Sequence, residues 1–225
     1  MKTLIAVPTM DMCHARFAQS LAMLDKVGEC QVSFIMNSLI YDARNKFCQQ
    51  AIEGEFDYIL WLDSDMVFPS YVLQQFMQDD KDIVAGLYFR RNYPFTPVAF
   101  SELRRENGVL QMKDLEEWPN KMFEVDGVGF GCVLMKTDCL FDIAGKEGGV
   151  WFTPTPDAGE DAAFCLRAKS YGYEIWIDPA IKLGHVGQAV ITEGVYRAGE
   201  RKNHEDSFTC TADSSRSRRN RDRGR

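Results

Sequence analysis

Short, wholly apolar runs alternate with helix-period segments through the first ninety residues. Leu4-Ile5-Ala6-Val7 stops at Pro8, and Tyr58-Ile59-Leu60-Trp61-Leu62 stops at Asp63. A strand that is apolar at every position is buried on both faces, which is the mark of a parallel sheet. Gln31 to Met36 and Ile83 to Leu87 read as two more strands. Between the strands the period changes. Phe17, Leu21 and Leu24 fall at helical spacing from His14 to Lys26, with Gly28 as the stop. Asp42 is expected to cap a helix that runs to Glu53, with Phe47 and Ala51 on one face and Gly54 closing it. Pro69 opens a third helix through Met77. Strand and helix thus alternate three times, which implies parallel strands joined by right-handed crossovers.

The second half reads differently. Phe95 to Phe100, Val109 to Met112, Met122 to Val125 and Cys132 to Met135 are shorter strands suited to a mixed sheet. A helix is expected from Gly159 to Tyr171, then strands at Glu174 to Ile177 and Ile181 to Leu183. No internal repeat and no Pro/Gly/Ser linker interrupts the chain before residue 205. The expected fold class is α/β: a single Rossmann-like domain over residues 1–205, with a mostly parallel central sheet, helices on both faces and a smaller mixed-sheet second half. Residues 206–225 form a Ser/Arg-rich tail with too few apolar side chains to fold, so disorder is expected there.

Composition narrows the classes. The 225 residues are 45% hydrophobic and 26% charged, which excludes a disordered chain, a collagen-like repeat and a disulfide miniprotein. The net charge of -7 argues against a general nucleic-acid binder. Six arginines against two aspartates sit between residues 211 and 225, so the acidic excess lies in the rest. That tail is either a solvated end or an arm for an anionic partner such as RNA or phosphate. Seven cysteines, an odd number without CxxC spacing, suggest reduced thiols. The apolar run before Pro8 is too short for a signal peptide, and no run approaches a membrane span. A cytoplasmic protein is the expectation.

Five features carry candidate chemistry. In Leu62-Asp63-Ser64-Asp65, two carboxylates leave the end of a buried strand, the edge where open α/β sheets bind ligands. Hard divalent cations want such oxygens together with substrate phosphates. The plain alternative is a solvated loop capping the next helix. Gly159-Glu160-Asp161 puts two acids in a first helical turn, where Asp161 is either a proton acceptor or a partner of the helix dipole. Asp157 with Glu160 three residues on is a capping-box-like pair. His185 lies at a strand end between two glycines, either a metal ligand or a polar turn residue. Gly127, Gly129 and Gly131 do not match GxGxxG, because Cys132 holds the last place and a strand follows. They suit close backbone approach to a ligand, or a bulge. Arg44, at a helix start, is either a diphosphate partner or a surface ion pair.

Taken in order, Val7-Pro8-Thr9, Ala43-Arg44-Asn45, Leu62-Asp63-Ser64-Asp65, the glycines at 127–131, Gly159-Glu160-Asp161 and His185 resemble a GT-A fold glycosyltransferase close to family 2. The resemblance covers roughly residues 1–190. It implies a nucleotide-sugar donor held near Pro8, Thr9, Arg44, Asp63 and Ser64. It implies Mn²⁺ or Mg²⁺ on Asp63, Asp65 and His185, and Asp161 as general base in an inverting transfer to a sugar or other hydroxyl-bearing acceptor. Trp151 and Glu160 would lie on the acceptor side, Trp151 stacking with Phe152 on a sugar unless both are core. Arg90, Arg91, Tyr93, Phe95 and Trp118 would shape the same side. Three other readings stand beside it: a haloacid-dehalogenase-like phosphatase with Asp63 as nucleophile, a nucleotidyltransferase on a similar sheet, and a nucleotide-sugar-binding protein without turnover.

Overall fold

The structure is a computed structural model that describes residues 1–147, 150–187 and 190–197. The expected tail at 206–225 and the boundary at 205 lie outside the described residues. The chain begins β1 (Lys2–Thr9), α1 (Ala15–Ala22), β2 (Glu29–Met36), α2 (Ile40–Glu53) and β3 (Tyr58–Leu62). It continues β4 (Met66–Val67), α3 (Val72–Asp79), β5 (Ile83–Leu87), β6 (Ala99–Glu106), β7 (Val109–Asp114) and β8 (Phe123–Val125). It then forms β9 (Gly127–Val128), β10 (Cys132–Lys136), α4 (Asp138–Glu147), α5 (Glu160–Ser170), β11 (Ile175–Lys182), β12 (Gly184–Val186) and β13 (Val190–Ile191).

Seven strands make the central sheet in the order β2-β1-β3-β10-β5-β11-β8. β2, β1 and β3 run parallel, β5 and β11 share their direction, and β10 and β8 run against them. The expected mostly parallel sheet is therefore present. Strand alternation divides its side chains between two apolar layers. Leu4, Ala6, Ile59, Trp61, Ile83 and Ala85 face one, and Ile5, Val7, Leu60, Leu62 and Val84 face the other. All are buried. Each fully buried large side chain contributes about 1.5–3 kcal/mol relative to exposure, so this two-faced interior is what fixes the strand ends in space. Two three-stranded sheets flank it, β13-β12-β4 and β7-β6-β9.

Several expectations need correction. The first helix ends at Ala22, short of Lys26, and Gly28, at φ +68°, sits in the turn into β2 instead of closing the helix. Leu39 is the N-cap of α2, and Asp42 lies inside its first turn without a capping bond. The strand expected at 95–100 starts at Ala99, because the chain from Arg90 turns back on itself with Phe95 N–H donating to Asn92 O. α4 was not expected: Gly145, Gly148 and Gly149 mask the short apolar set Cys139, Leu140 and Ile143, which is buried. The two strands expected after α5 are one, β11, with a register shift against β5 between Asp178 and Lys182, around Pro179.

Four of the six described cysteines, Cys48, Cys132, Cys139 and Cys165, are buried, and all six are free thiols. No helix among the described residues is long and apolar enough to cross a membrane.

Candidate active site

The apolar run of β3 stops at Asp63, and the turn that follows is tied down on all sides. Asp63 N–H donates to Gly131 O at 3.0 Å, and Met66 N–H returns to Asp63 O at 3.0 Å. His14 N–H donates to Ser64 O at 3.0 Å, and Val186 N–H to Asp65 O at 2.8 Å. The two carboxylates of this turn diverge. Asp65 points outward to a cleft, and Asp63 points inward to a buried cation.

The cleft, about 420 Å³, lies at the carboxyl ends of β1 and β3. Pro8, Thr9, Asp63, Ser64, Asp65 and His185, all expected from the sequence, line it. Met10, Ser38, Ile40 and Arg91 complete the wall. The hydroxyl of Thr9 donates to Met12 O at 2.6 Å. A larger, mostly apolar cavity of about 620 Å³ opens beside Val67, Phe68, Ile181 and Leu183, but the carboxylate pair is not on its wall.

His185 reaches the cleft because β12 pairs with β4, setting His185 opposite Met66. Its Nδ1 is 2.8 Å from Phe89 O. A carbonyl only accepts, so Nδ1 carries the hydrogen, and in a neutral ring Nε2 keeps its lone pair. Nε2 is 3.5 Å from Asp65 Oδ2. Nε2 donates toward that oxygen when the ring is charged, and offers its lone pair to a cation when it is neutral. Arg91 pairs with the same Oδ2, its Nη1 2.7 Å away. Burial would raise the Asp65 carboxyl, but His185 and Arg91 outweigh it and hold it below the usual range.

Behind the cleft lies Arg44, 1% exposed. Its Nη2 is 3.4 Å from Asp63 Oδ1, its Nε is 3.3 Å from Asp161 Oδ1 and 4.0 Å from Glu160 Oε1, and Nη1 donates to Phe130 O at 3.3 Å. Trp61, Phe130 and Phe152 surround the guanidinium at 5.4–5.8 Å from their ring centres. Burial alone would lower its pKa, but Asp161, Asp63 and Glu160 together hold it above the ordinary value. Arg44 is therefore neither a surface ion pair nor open to a diphosphate. It is the floor of the site, and it links Asp63 to the α5 acids. Burial, with Asp161 and Asp65 close by, pushes the Asp63 carboxyl up to about 6 although Arg44 opposes this. Glu160 is raised for the same reasons, burial first and then Asp161.

Asp161 sits in the first turn of α5 and accepts from Phe130 N–H at 3.1 Å through Oδ2. Gly159, without a side-chain cap, is the N-cap, so the expected capping box is not formed. Asp157 instead accepts two bonds from Arg105, at 2.8 and 2.6 Å. Trp151 and Phe152 are 3% and 0% exposed, so they are core and cannot stack on a sugar. Trp151 Nε1–H donates to Leu140 O at 2.9 Å, and both backbone N–H groups donate to Asn45 Oδ1. The glycines at 127–131 do admit close approach, but to protein side chains: Gly127 abuts Leu103 and Phe100, Gly129 and Gly131 abut Tyr88, and a Cβ at Gly131 would lie 2.8 Å from the Tyr88 ring. Gly131 N–H also donates to the Tyr88 hydroxyl at 3.3 Å.

Arg91, expected on the acceptor side, lines the cleft beside Asp65 instead, and Tyr88 was not singled out in the sequence. A usable signal exists, since Arg90-Arg91 follows the apolar run of β5 as Asp63 follows that of β3.

Residues 29–107, which is 79 of the 225, match the family model Anp1, a GT-A-like glycosyltransferase family. That stretch holds Arg44, Asp63, Asp65 and Arg91 and ends before Asp161 and His185. Among solved structures, A197 from STIV is 16% identical with a TM-score of 0.55, over 83% of this chain and 86% of that one. GalNAc-T7, crystallised with UDP, GalNAc and Mn²⁺, is 8% identical with a TM-score of 0.52. It is matched over 83% of this chain and 44% of its own length. The chain has the GT-A fold. No curated protein matches it. The Anp1 match and the GT-A fold together support a glycosyltransferase. In this GT-A arrangement Asp63 turns to Arg44, which does not favour its reading as a phosphatase nucleophile.

Proposed function

We propose that the protein is a metal-dependent glycosyltransferase that moves a sugar from a nucleotide-sugar donor to an acceptor hydroxyl, with inversion at the anomeric carbon. The observation that carries this reading is that Asp65 and His185 meet in one cleft whose wall Asp63 shares, with Asp161 tied to Asp63 through Arg44. No group of three or more His, Cys, Asp or Glu that could hold a metal by itself exists among the described residues. Asp65 and His185 nevertheless fit a cation whose other ligands come from a diphosphate and water, the usual way Mg²⁺ is held at phosphate sites. Mn²⁺ or Mg²⁺ bound there would supply Lewis-acid neutralisation of the leaving diphosphate.

The chain's own residues do the rest. Pro8, Thr9 and Ser64 bound the donor side of the cleft. Asp161 takes the proton from the acceptor hydroxyl as its oxygen bonds to the anomeric carbon. The bond from that carbon to the diphosphate oxygen breaks, and its electron pair leaves with the diphosphate. Arg44 is a positioning residue that fixes the Asp161 carboxylate from below. Binding of the UDP and Mn²⁺ named for GalNAc-T7 is consistent with this donor class.

The test is a thermal-shift panel of nucleoside diphosphates and sugar nucleotides, each with Mn²⁺ and with EDTA. A ligand that binds only the folded state raises the melting temperature by mass action. A rise with one nucleotide class that EDTA abolishes is the expected result. No shift with any of them overturns the reading.

A further inference from the structure

Among the residues lining the donor cleft, Arg91 is the one lysine or arginine, and it rests on an oxygen that a metal ion would need. Its Nη1 is 2.7 Å from Asp65 Oδ2, the atom that also faces His185 Nε2 at 3.5 Å. A cation shared by Asp65 and His185 has to displace it. A diphosphate beside Asp63 and Asp65 would bring more negative charge to a wall that is already acidic. Arg44 cannot answer that charge, because it is buried and already faces three carboxylates. A guanidinium offers paired donors that match phosphate oxygens.

The root of Arg91 is fixed while its head is loose. Arg90 N–H donates to Thr96 O at 2.9 Å, and Arg90 Nη2 to Asp114 Oδ1 at 3.1 Å. The backbone of Gly187 packs against the root, so that a Cβ there would lie 3.2 Å from Arg91 Cβ. The Arg91 side chain is 51% exposed. An ion pair that open to water gives no more than about a fivefold preference, so a divalent cation can break it.

We propose that Arg91 is a two-position residue: it neutralises Asp65 in the free protein and moves to the diphosphate oxygens when a divalent cation takes Asp65. Metal and diphosphate then bind cooperatively, since each removes the obstacle to the other, and the coupling is reciprocal. The inference rests on the cation–diphosphate reading of the cleft and names the residue that links the two.

The experiment measures free Mn²⁺ by EPR with wild type, Arg91→Ala and Arg91→Lys, each with Mn²⁺ alone and with Mn²⁺ plus inorganic pyrophosphate. Pyrophosphate carries the diphosphate without choosing a base. Arg91→Ala is expected to bind Mn²⁺ alone about two- to fivefold tighter. The same variant is expected to bind the Mn²⁺–pyrophosphate pair about ten- to hundredfold weaker. Arg91→Lys, which keeps charge and loses the fork, falls between. Opposite signs in one variant cannot come from partial unfolding, which weakens both. Equal signs, or no change, overturn the proposal, as does a wild type that binds no Mn²⁺–pyrophosphate. If the signs are as expected but no sugar nucleotide shifts the melting temperature, the transferase reading fails and Arg91 keeps its role. If nucleotides bind and Arg91→Ala has no effect, only this inference fails.

Discussion

Arg44 Nε lies 3.3 Å from Asp161 Oδ1, although the two residues come from different helices 117 positions apart in the chain. The same guanidinium reaches Asp63 at the end of β3. One buried cation thus joins the turn that carries the DxD acids to the helix that carries Asp161. Burying an unpaired guanidinium costs several kcal/mol, and the three carboxylates offset that cost only as a set.

Removing the cation should therefore cost stability in a way that depends on pH. Arg44→Met is expected to lose about 3–5 kcal/mol near pH 8, where Asp63, Asp161 and Glu160 lose their shared cation. Near pH 5 the loss should shrink, because Asp63 and Glu160, whose carboxyls burial already pushes up, can protonate. Urea denaturation at both pH values measures it. A loss that is the same at both would mean that Arg44 matters only as packed volume.

Asp63 makes the complementary prediction. Its carboxyl titrates near 3.8 in the unfolded chain and near 6 in the folded one. The folded state therefore holds an extra proton between about pH 4 and 6. Stability falls as pH rises through that window, by up to about 3 kcal/mol, and the whole penalty is present above pH 6. In metal-free protein Asp63→Asn should be more stable than wild type at pH 8 by about 1–3 kcal/mol and not near pH 4. Chemical denaturation of the two proteins at both pH values decides it. Equal stability at pH 8 would mean that Asp63 is not strained by its surroundings.

The parallel half of the fold was legible because β1, β3 and β5 are buried on both faces, which leaves unbroken apolar runs. The DxD turn was legible for the same reason: the apolar run stops at Asp63, so the acids had to stand at the sheet edge. α4 was hidden by Gly145 within it and the Gly-Gly that follows in the sequence, and the continuity of β11 by Pro179. The direction in which Arg44 points was not readable from α2. It depends on acids at positions 63, 160 and 161 that only the tertiary fold brings beneath it. Trp151 and Phe152 illustrate the same limit. Aromatics next to a candidate site look like sugar platforms in one dimension, yet Asn45 pins their backbone and the core takes both rings.

Gly131 tests the packing that supports the site. A Cβ there would lie 2.8 Å from the Tyr88 ring, which is buried and cannot swing clear. Gly131→Ala is expected to cost about 1–3 kcal/mol by overpacking. Because Gly131 O accepts the Asp63 N–H bond, the same variant should weaken Mn²⁺-dependent nucleotide binding. Melting temperature and nucleotide titration give the two readouts. Unchanged stability would mean that Tyr88 relaxes freely.

Asp161→Asn separates binding from chemistry. The amide occupies the same volume and can keep the Phe130 N–H bond through its oxygen, but its NH2 then faces Arg44, which keeps only Asp63 and Glu160, so the fold and the cleft should persist at some cost in stability. Donor affinity, read as the Mn²⁺-dependent thermal shift, is expected to stay within a few-fold of wild type. Turnover, read as nucleoside diphosphate released in the presence of acceptor, is expected to fall about 10²–10⁴-fold, the usual worth of a positioned proton acceptor. The fall should appear in kcat and not in the donor KM, because Asp161 is not on the wall of the donor cleft. Normal turnover in this variant would remove Asp161 as the base and would leave Glu160, in the same turn and 4.0 Å from Arg44 Nε, as the next acid to examine.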